Sequence, residues 1–216
     1  MKQPTPIYQF NFSNVPYSDN VPPAPGETIK ESGCGIVSST MMLNAFGIKV
    51  TVQELAKLSM DHHYRVESGT SWALFPFIAK TYDLQMTQTD DMATVEKALQ
   101  NGSLVICSMG PGTFTKGGHF ILAYDYAGGM LYFCDPASAL RTGRAYSPEL
   151  VQKEHKEYFI FSKKITPAKT TPQEAVTFAK GKILTDDAKW LKKAMVEPET
   201  YQLLANFKNY VEKGGK

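Results

Sequence analysis

The tripeptide Gly33-Cys34-Gly35 places a thiol directly before a run of helix-forming residues. A cysteine in the first turn of a helix faces unpaired backbone N–H groups and the positive end of the helix dipole, and both favour the nucleophilic thiolate. The glycines on either side would let a substrate backbone approach closely. A buried structural cysteine is the alternative interpretation, and the tripeptide alone does not decide between the two.

A thiolate nucleophile requires an imidazole that keeps it ionised and protonates the leaving amine. Among the four histidines, His119 is the best candidate, because it begins a predicted strand directly after two glycines and can face a cleft there. A buried core histidine is the alternative for this position. His155 lies in a charged segment, 153–157, that we predict to be helical and solvated. The adjacent His62 and His63 fall in a polar loop and give weak support for a metal site, so we expect no metal and no cofactor.

An acidic residue that orients this imidazole is expected on the same face of the sheet. Asp125 shares the strand of His119 but lies six residues away. That separation is about 20 Å at the rise of an extended strand, which is too far for contact. Asp135 ends the next predicted strand and is the better candidate. A purely structural Asp-Pro turn is the alternative interpretation of Asp135.

The length of the hairpin turn decides whether Asp135 can reach the imidazole. With the three-residue turn 127–129, position 135 opposes position 121 and shares the face of His119. With a two-residue turn, the aspartate points to the other face. Because a glycine at the last turn position suits the left-handed conformation that the longer turn requires, we predict the three-residue turn. The register then favours a triad of Cys34, His119 and Asp135.

The other two cysteines are expected to have structural roles. Cys107 lies within a predicted strand among leucine, valine and isoleucine, and is most simply a small core residue. Cys134 alternates to the face opposite Asp135. A disulfide between Cys107 and Cys134 would need the two on neighbouring strands and is the minor alternative. The total of three cysteines leaves at least one thiol unpaired within the chain.

The elements that must position these residues change in type about halfway along the chain. Apolar periodicity and capping signals, including a Thr51/Glu54 capping box and a glycine cap at 47, predict helices at 36–46, 51–59, 71–82 and 92–100. Short apolar or alternating runs predict strands at 104–107, 119–126, 130–134 and 158–161. Helices followed by an antiparallel sheet indicate an α+β fold.

The chain divides into four predicted parts. Residues 1–25 contain six of the 13 prolines and form an extended proline-rich arm, whose apolar side chains should hold it on the domain surface. The α+β domain spans 26–164, and a linker follows at 165–172. The last part, 173–216, is predicted to be helical. It weakly resembles short helical segments appended to bacterial and phage wall amidases, and an ordinary packing helix pair is equally compatible.

Composition excludes several classes of protein. The 216 residues are 43% hydrophobic and 20% charged, which is ordinary for a globular protein and excludes a wholly disordered chain. No apolar run approaches the roughly 18–20 residues that a transmembrane helix needs. A net charge of +2 gives no electrostatic footprint for nucleic acid. No signal peptide is evident, so we expect a secreted or wall-associated protein if this is a mature form, and otherwise a cytoplasmic or phage-encoded one.

Five sequence blocks resemble free-standing relatives of the double-glycine bacteriocin-leader peptidases, which are papain-fold cysteine peptidases. The blocks are 32–35, 69–72, 109–112, 117–120 and 135–136. The resemblance covers residues 26–163 and implies a papain-like fold with Cys34 as nucleophile, His119 as general acid and base, and Asp135 as the orienting residue. One position departs from the pattern: papain-like peptidases usually place an oxyanion-hole glutamine about six residues before the cysteine, where this chain has Thr28.

The sequence therefore predicts a cysteine peptidase or amidase that hydrolyses peptide or amide bonds through an acyl-enzyme. Peptides, including the peptide part of the bacterial wall, are the expected substrates, with no nucleic-acid partner and no membrane span. Trp72 and Gly118 are expected to contact substrate, and Trp72 is equally compatible with a core position. Two alternatives remain: an acyltransferase of the same fold, and a peptide-binding module that has lost catalysis. The absent glutamine favours the module, whereas retention of all three candidate residues opposes it.

Overall fold

A computed structural model of the chain describes residues 3–18, 20, 24–67 and 69–164. The predicted linker at 165–172 and the predicted helical segment at 173–216 lie outside the described residues. Within the described ranges, the element order runs from helices to a sheet and so confirms the predicted α+β class. None of the helices in this part of the chain is long and apolar enough to cross a bilayer.

The helices occupy mainly the first half of the described chain. Their bounds are Ile29–Ser32 (α1), Cys34–Ala45 (α2), Val52–Asp61 (α3), Leu74–Thr81 (α4), Met92–Gln100 (α5) and Pro148–Glu154 (α6). Helices α2 to α5 confirm the four predicted helices. The Thr51/Glu54 capping box begins α3 as predicted. Gly47 ends α2 in a left-handed conformation, φ +85°, and the N–H of Ile48 donates to the carbonyl of Leu43, which is the pattern of a Schellman cap.

The strands form one large sheet and one small ribbon. Their bounds are Arg65–Val66 (β1), Gly69–Thr70 (β2), Leu84–Thr89 (β3), Leu104–Met109 (β4), His119–Ala127 (β5), Met130–Cys134 (β6), Ala145–Tyr146 (β7) and His155–Lys163 (β8). Strands β1 and β2 pair with each other, and the other six form an antiparallel sheet in the order β3-β8-β4-β5-β6-β7. Strand β4 therefore pairs with β5 on one side and with β8, which lies much later in the chain, on the other.

Both faces of the central sheet are covered. On β4 and β5, Ile106 and Leu122 belong to an apolar cluster formed with α2, α3 and α4. Their neighbours Val105 and Ile121 belong to a second cluster that includes residues of α5 and α6. Because successive strand residues point to opposite faces, this two-sided burial accounts for the apolar run at 104–107 in β4. Helix α2 packs on β5, which fixes the start of α2 relative to the start of that strand.

The proline-rich arm packs on the domain and also enters its core. A short 3-10 helix, Gln9–Asn11, docks where the backbone N–H of Gln9 donates to the carbonyl of Pro136 at 2.9 Å. Tyr17 is fully buried, and its hydroxyl lies 2.9 Å from Ser59 Oγ and 3.0 Å from Thr70 Oγ1. The arm therefore supplies part of the core, in addition to covering the surface.

Removing the Tyr17 hydroxyl is expected to destabilise the domain. In Tyr17→Phe, the buried hydroxyls of Ser59 and Thr70 lose a partner, and the free energy of unfolding should fall by about 1–3 kcal/mol. Urea unfolding followed by fluorescence measures the change. The matched control is Tyr8→Phe on the same arm, where the ring stacks on Phe10 and a change within about 0.5 kcal/mol is expected. Equal effects of the two substitutions would contradict this role of Tyr17.

Several short elements were not predicted from the sequence. Strand β3 lies at an edge of the sheet, and among its residues only Leu84 is buried, so its sequence carries little apolar alternation.

The predicted helix across 153–157 is wrong, because α6 ends at Glu154 and β8 begins at His155. His155 is partly buried, since its ring stacks on Tyr158 with 4.5 Å between centroids. Pairing with β4 overrides the helix-forming composition of this segment.

Candidate active site

Cys34 is the first residue of α2, and the glycines beside it serve packing. A Cβ on Gly33 would lie 2.6 Å from the carbonyl oxygen of Ile29, and a Cβ on Gly35 would lie 2.8 Å from Cβ of Thr70. Real Cβ atoms do not approach other atoms that closely. The prediction that these glycines make room for a substrate is therefore wrong: they allow α2 to begin tightly against α1 and β2.

The environment of Cys34 favours its thiolate. Burial alone would raise the pKa of the thiol, but a hydrogen bond from the ring of His119, the charge of that ring, and the backbone N–H groups of Phe120 and Gly35 together lower the pKa below its usual value. The residue is only partly buried, so a ligand can reach it. Cys34 is thus accessible to a ligand, and its surroundings stabilise the thiolate form.

His119 begins β5 and is held from both sides. Its Nε2 donates to Oδ1 of Asp135 at 2.8 Å, which leaves Nδ1 as the ring nitrogen that can serve Cys34. The residue is 8% exposed, and this burial by itself disfavours the imidazolium. The hydrogen bonds and negative charges of Asp135 and Cys34 outweigh burial and raise the pKa of His119 to about 9. The lowered pKa of Cys34 and the raised pKa of His119 both shift the equilibrium toward a thiolate–imidazolium pair.

The hairpin that brings Asp135 to His119 differs from the predicted one. Ala127 pairs with Met130, so the turn has two residues, Gly128 and Gly129, with φ values of +60° and +75°. A two-residue turn alone would point Asp135 away from the imidazole. The ladder is offset by one residue at Tyr124, between the Ala123 and Asp125 pairs, and this β-bulge restores the required face. The predicted turn is wrong, whereas the predicted proximity of Asp135 to His119 is confirmed.

Asp135 is buried and its carboxylate is fully engaged. The side chain accepts hydrogen bonds from His119, from the backbone N–H of Ala137 at 2.8 Å and from Nε of Arg141 at 2.5 Å. Burial favours the protonated form, but these bonds and the charge of His119 lower the pKa of the carboxyl below its usual value. Sequence reasoning missed Arg141, because its contact with Asp135 depends on the path of the loop between β6 and β7.

Cys34 and His119 lie on the wall of a cleft of ≈ 240 Å³. Beside Cys34 and His119, the cleft is lined by Thr70, Trp72, Ser108, Gly118, Phe120 and Lys156. Trp72 lies in the turn before α4, with its side chain 40% exposed and its ring edge against Phe159 at 5.7 Å between centroids. Trp72 and Gly118 therefore share the cleft with Cys34. Ser108 and Lys156 were not predicted, since neither stands in a motif.

The other cysteines do not form the disulfide considered above. All three cysteines are free. Strand β5 separates the strands of Cys107 and Cys134, and the two side chains belong to clusters on opposite faces of the sheet. Burial raises the pKa of Cys134 to about 12 and raises that of Cys107 still further. Of the three cysteines, Cys34 alone has a pKa below the usual value of a thiol.

Thr28, Gln9 and His62 each contact residues that do not line the cleft. Thr28 donates its hydroxyl hydrogen bond to the carboxylate of Glu31. The amide of Gln9 donates to the carbonyl of Lys30 at 2.8 Å, so it is not directed at Cys34. The ring of His62 packs on Phe77 with 4.5 Å between centroids. In the described ranges, no group of three or more His, Cys, Asp or Glu side chains is arranged to hold a metal ion.

Fold and site together define a papain-like cysteine-peptidase fold. Residues 6–165 match the Peptidase_C39 like family, and the chain belongs to that family. The solved peptidase domain of Streptococcus ComA, a bi-functional ABC transporter involved in a quorum-sensing pathway, has a TM-score of 0.50 at 17% identity, over 61% of this chain and 91% of that one. This likeness supports the fold.

Two further solved structures have lower scores. A protein from Bacillus anthracis described as a C39-like peptidase has a TM-score of 0.46 at 14% identity, over 74% of this chain and 98% of that one. A double glycine motif protease from an AMS/PCAT transporter, solved in complex with the leader peptide, has a TM-score of 0.44 at 18% identity, over 59% of this chain and 82% of that one. No curated protein matches the sequence.

Proposed function

We propose that the protein is a cysteine peptidase or amidase in which Cys34 is the nucleophile, His119 the general acid and base, and Asp135 the group that orients the imidazole. One observation carries the proposal: Cys34 and His119 line the same cleft, and behind them Nε2 of His119 donates to the buried carboxylate of Asp135 at 2.8 Å. The lowered pKa of Cys34 adds support, because a thiolate at an accessible position is what nucleophilic catalysis requires.

The proposed reaction proceeds in two steps. The Cys34 thiolate adds to the carbonyl carbon of an amide, and backbone N–H groups at the start of α2 stabilise the oxyanion. The imidazolium of His119 gives its Nδ1 proton to the leaving amine, and the C–N bond breaks to leave a thioester. Neutral His119 then takes a proton from water, the hydroxide adds to the thioester, and the carboxylic acid leaves as the thiolate is restored.

The proposed substrates are peptides, including the peptide part of the bacterial cell wall. Trp72 offers a partly exposed aromatic face at the cleft. At Gly118, a Cβ would meet only the tip of Lys156 at 4.0 Å, so the backbone beside His119 stays open to an extended chain. Trp72 and Gly118 are accordingly the proposed substrate contacts.

The experiment that tests this function is the search for new peptide termini. The full chain is incubated with a proteome-derived peptide mixture and with peptidoglycan fragments, and the products are read by mass spectrometry. Protein blocked at Cys34 with iodoacetamide is the control. New termini that appear only with unblocked protein support the proposal, and their flanking residues define the scissile bond. Intact substrates in both samples, with Cys34 shown by mapping to be unmodified beforehand, would overturn it.

A peptide-binding module that has lost catalysis is the second candidate function. It is favoured by Thr28, which stands where papain-like peptidases carry an oxyanion-hole glutamine and whose hydroxyl is engaged by Glu31. Loss of one such donor lowers rates by about 10²–10³, which slows catalysis without abolishing it. A module would retain peptides unchanged in the same experiment. An acyltransferase of the same fold would instead yield conjugates when a nucleophilic amine or thiol is added.

The rate of hydrolysis is expected to have a bell-shaped pH dependence. The value of kcat/KM should rise as pH passes the lowered pKa of Cys34 and fall as His119 loses its proton near pH 9. Initial rates across acidic to basic pH measure both limbs. A single rise centred near the pKa of a free thiol, about 8.5, would contradict the ion-pair description.

A further inference from the structure

Lys156 occupies an irregular position at the start of β8. On β4, Met109 pairs with His155 and Ser108 pairs with Glu157, so Lys156 is an extra residue in the ladder between β4 and β8. A β-bulge of this kind changes the direction of a side chain and is common beside active sites. Here the bulged residue lines the same cleft as Cys34 and His119.

Two glycines provide the space through which the Lys156 side chain reaches the cleft. A Cβ on Gly110 would lie 3.3 Å from Cε of Lys156, so the lysine stem packs directly over that glycine. The ammonium group lies 4.0 Å from the position of a Cβ on Gly118, the residue before His119. The ammonium group of Lys156 therefore lies beside Gly118, the residue that precedes the proposed general base, His119.

The acidic side chains beside Lys156 are engaged elsewhere. Glu154 accepts hydrogen bonds from the backbone N–H and the hydroxyl of Thr113, at 2.7 and 2.8 Å. Glu157 accepts from Gln88 at 3.0 Å. Within the described residues, Lys156 makes no hydrogen bond or ion pair, so its charge is available to a ligand in the cleft.

We propose that Lys156 is a specificity-determining residue that binds a substrate carboxylate within two residues of the scissile bond. The proposal rests on the proposed peptidase function, since it places the carboxylate relative to a substrate bond that is cleaved at Cys34 and His119. Each residue of an extended peptide spans about 3.3 Å, so an acidic side chain next to the reacting carbonyl can reach the ammonium. The preferred substrates are peptides with Asp or Glu at such a position, or with a free C-terminal carboxylate there.

Matched peptide pairs test the selection. Peptides cleaved by the enzyme are made with Glu or Gln at each position flanking the scissile bond, and with free or amidated C-termini. We expect about a twofold to fivefold preference in kcat/KM for the carboxylate at one position, weakened by salt. Lys156→Met should remove the preference, Lys156→Arg should retain it, and Lys156→Glu should reverse it. The control Lys153→Met carries the same charge change outside the cleft and should behave as wild type. An unchanged preference in Lys156→Met would overturn the proposal.

A second measurement separates this proposal from the peptidase function. Cys34 is alkylated with anionic iodoacetate and with neutral iodoacetamide at low ionic strength, and the ratio of the two rates is compared between wild type and Lys156→Met. We expect the ratio to fall about threefold or more in Lys156→Met and to stay constant in Lys153→Met. An unchanged ratio overturns the role of Lys156. A reduced ratio with no peptide cleaved would refute the peptidase function and leave the anion selectivity of the cleft established.

Discussion

Replacing Cys34 with alanine is expected to reduce kcat/KM for peptide hydrolysis by a factor on the order of 10⁵ or more. In the proposed mechanism the thiol of Cys34 forms the covalent intermediate. No other cysteine can substitute, because Cys107 and Cys134 are buried with raised pKa values. Folding should be unaffected, since the side chain at this position is partly exposed and alanine suits the first turn of a helix. The measurement is the initial rate on a cleaved peptide, with circular dichroism to verify the fold.

The control for this substitution is Cys134→Ala. It also removes a thiol, but one that lies in the core beside the proline-rich arm, where Sγ contacts the carbonyl of Pro4. A stable, folded Cys134→Ala protein should hydrolyse peptides at nearly the wild-type rate. Substantial turnover by Cys34→Ala would show that another group attacks the substrate, and the proposed mechanism would fail.

Asp135→Asn is expected to lower kcat/KM by about 10²–10⁴. A carboxylate presents one acceptor oxygen to His119 and another to Arg141, whereas an amide has a single acceptor. If the amide oxygen faces Arg141, its NH₂ faces Nε2 of His119 and imposes the wrong tautomer. Loss of the negative charge also lowers the pKa of His119 from about 9, so the falling limb of the pH profile should move to lower pH.

The double substitution Asp135→Asn with Arg141→Met tests this explanation. Without the guanidinium, the amide oxygen is free to accept from His119, so the double variant should recover part of the activity that Asp135→Asn loses. Such non-additivity is the signature of residues that share a partner. Additive losses, together with an unshifted pH profile in Asp135→Asn, would show that Asp135 does not act through the imidazole.

Local signals in the sequence were sufficient for the helices that position Cys34. The cap at Gly47 and the Thr51/Glu54 capping box depend on residues close together in the chain, and both are present as predicted. The direction of Asp135 was harder to derive, because it depends on a two-residue turn and a bulge at Tyr124 that compensate each other. The predicted face of Asp135 is therefore correct, although the turn length from which it was predicted is wrong.

Contacts that depend on tertiary structure left no signal in the sequence. Arg141 reaches Asp135 because the loop between β6 and β7 folds back over the strand end. Lys156 lines the cleft because a bulge in β8 redirects it, in a segment whose composition favours a helix. The roles of Gly33 and Gly35 were misjudged for the same reason, since the atoms that require glycine belong to Ile29 and Thr70.

The central claim is that Cys34 and His119 form a thiolate–imidazolium pair, and the pH profile of Cys34 alkylation tests it most directly. Wild type and His119→Ala are treated with iodoacetamide over a range of pH, and peptide mapping identifies the labelled cysteine. We expect selective labelling of Cys34 in wild type below the pH at which a free thiol reacts, about 8.5, and loss of this labelling in His119→Ala. An ordinary thiol profile for Cys34 in both proteins would contradict the claim.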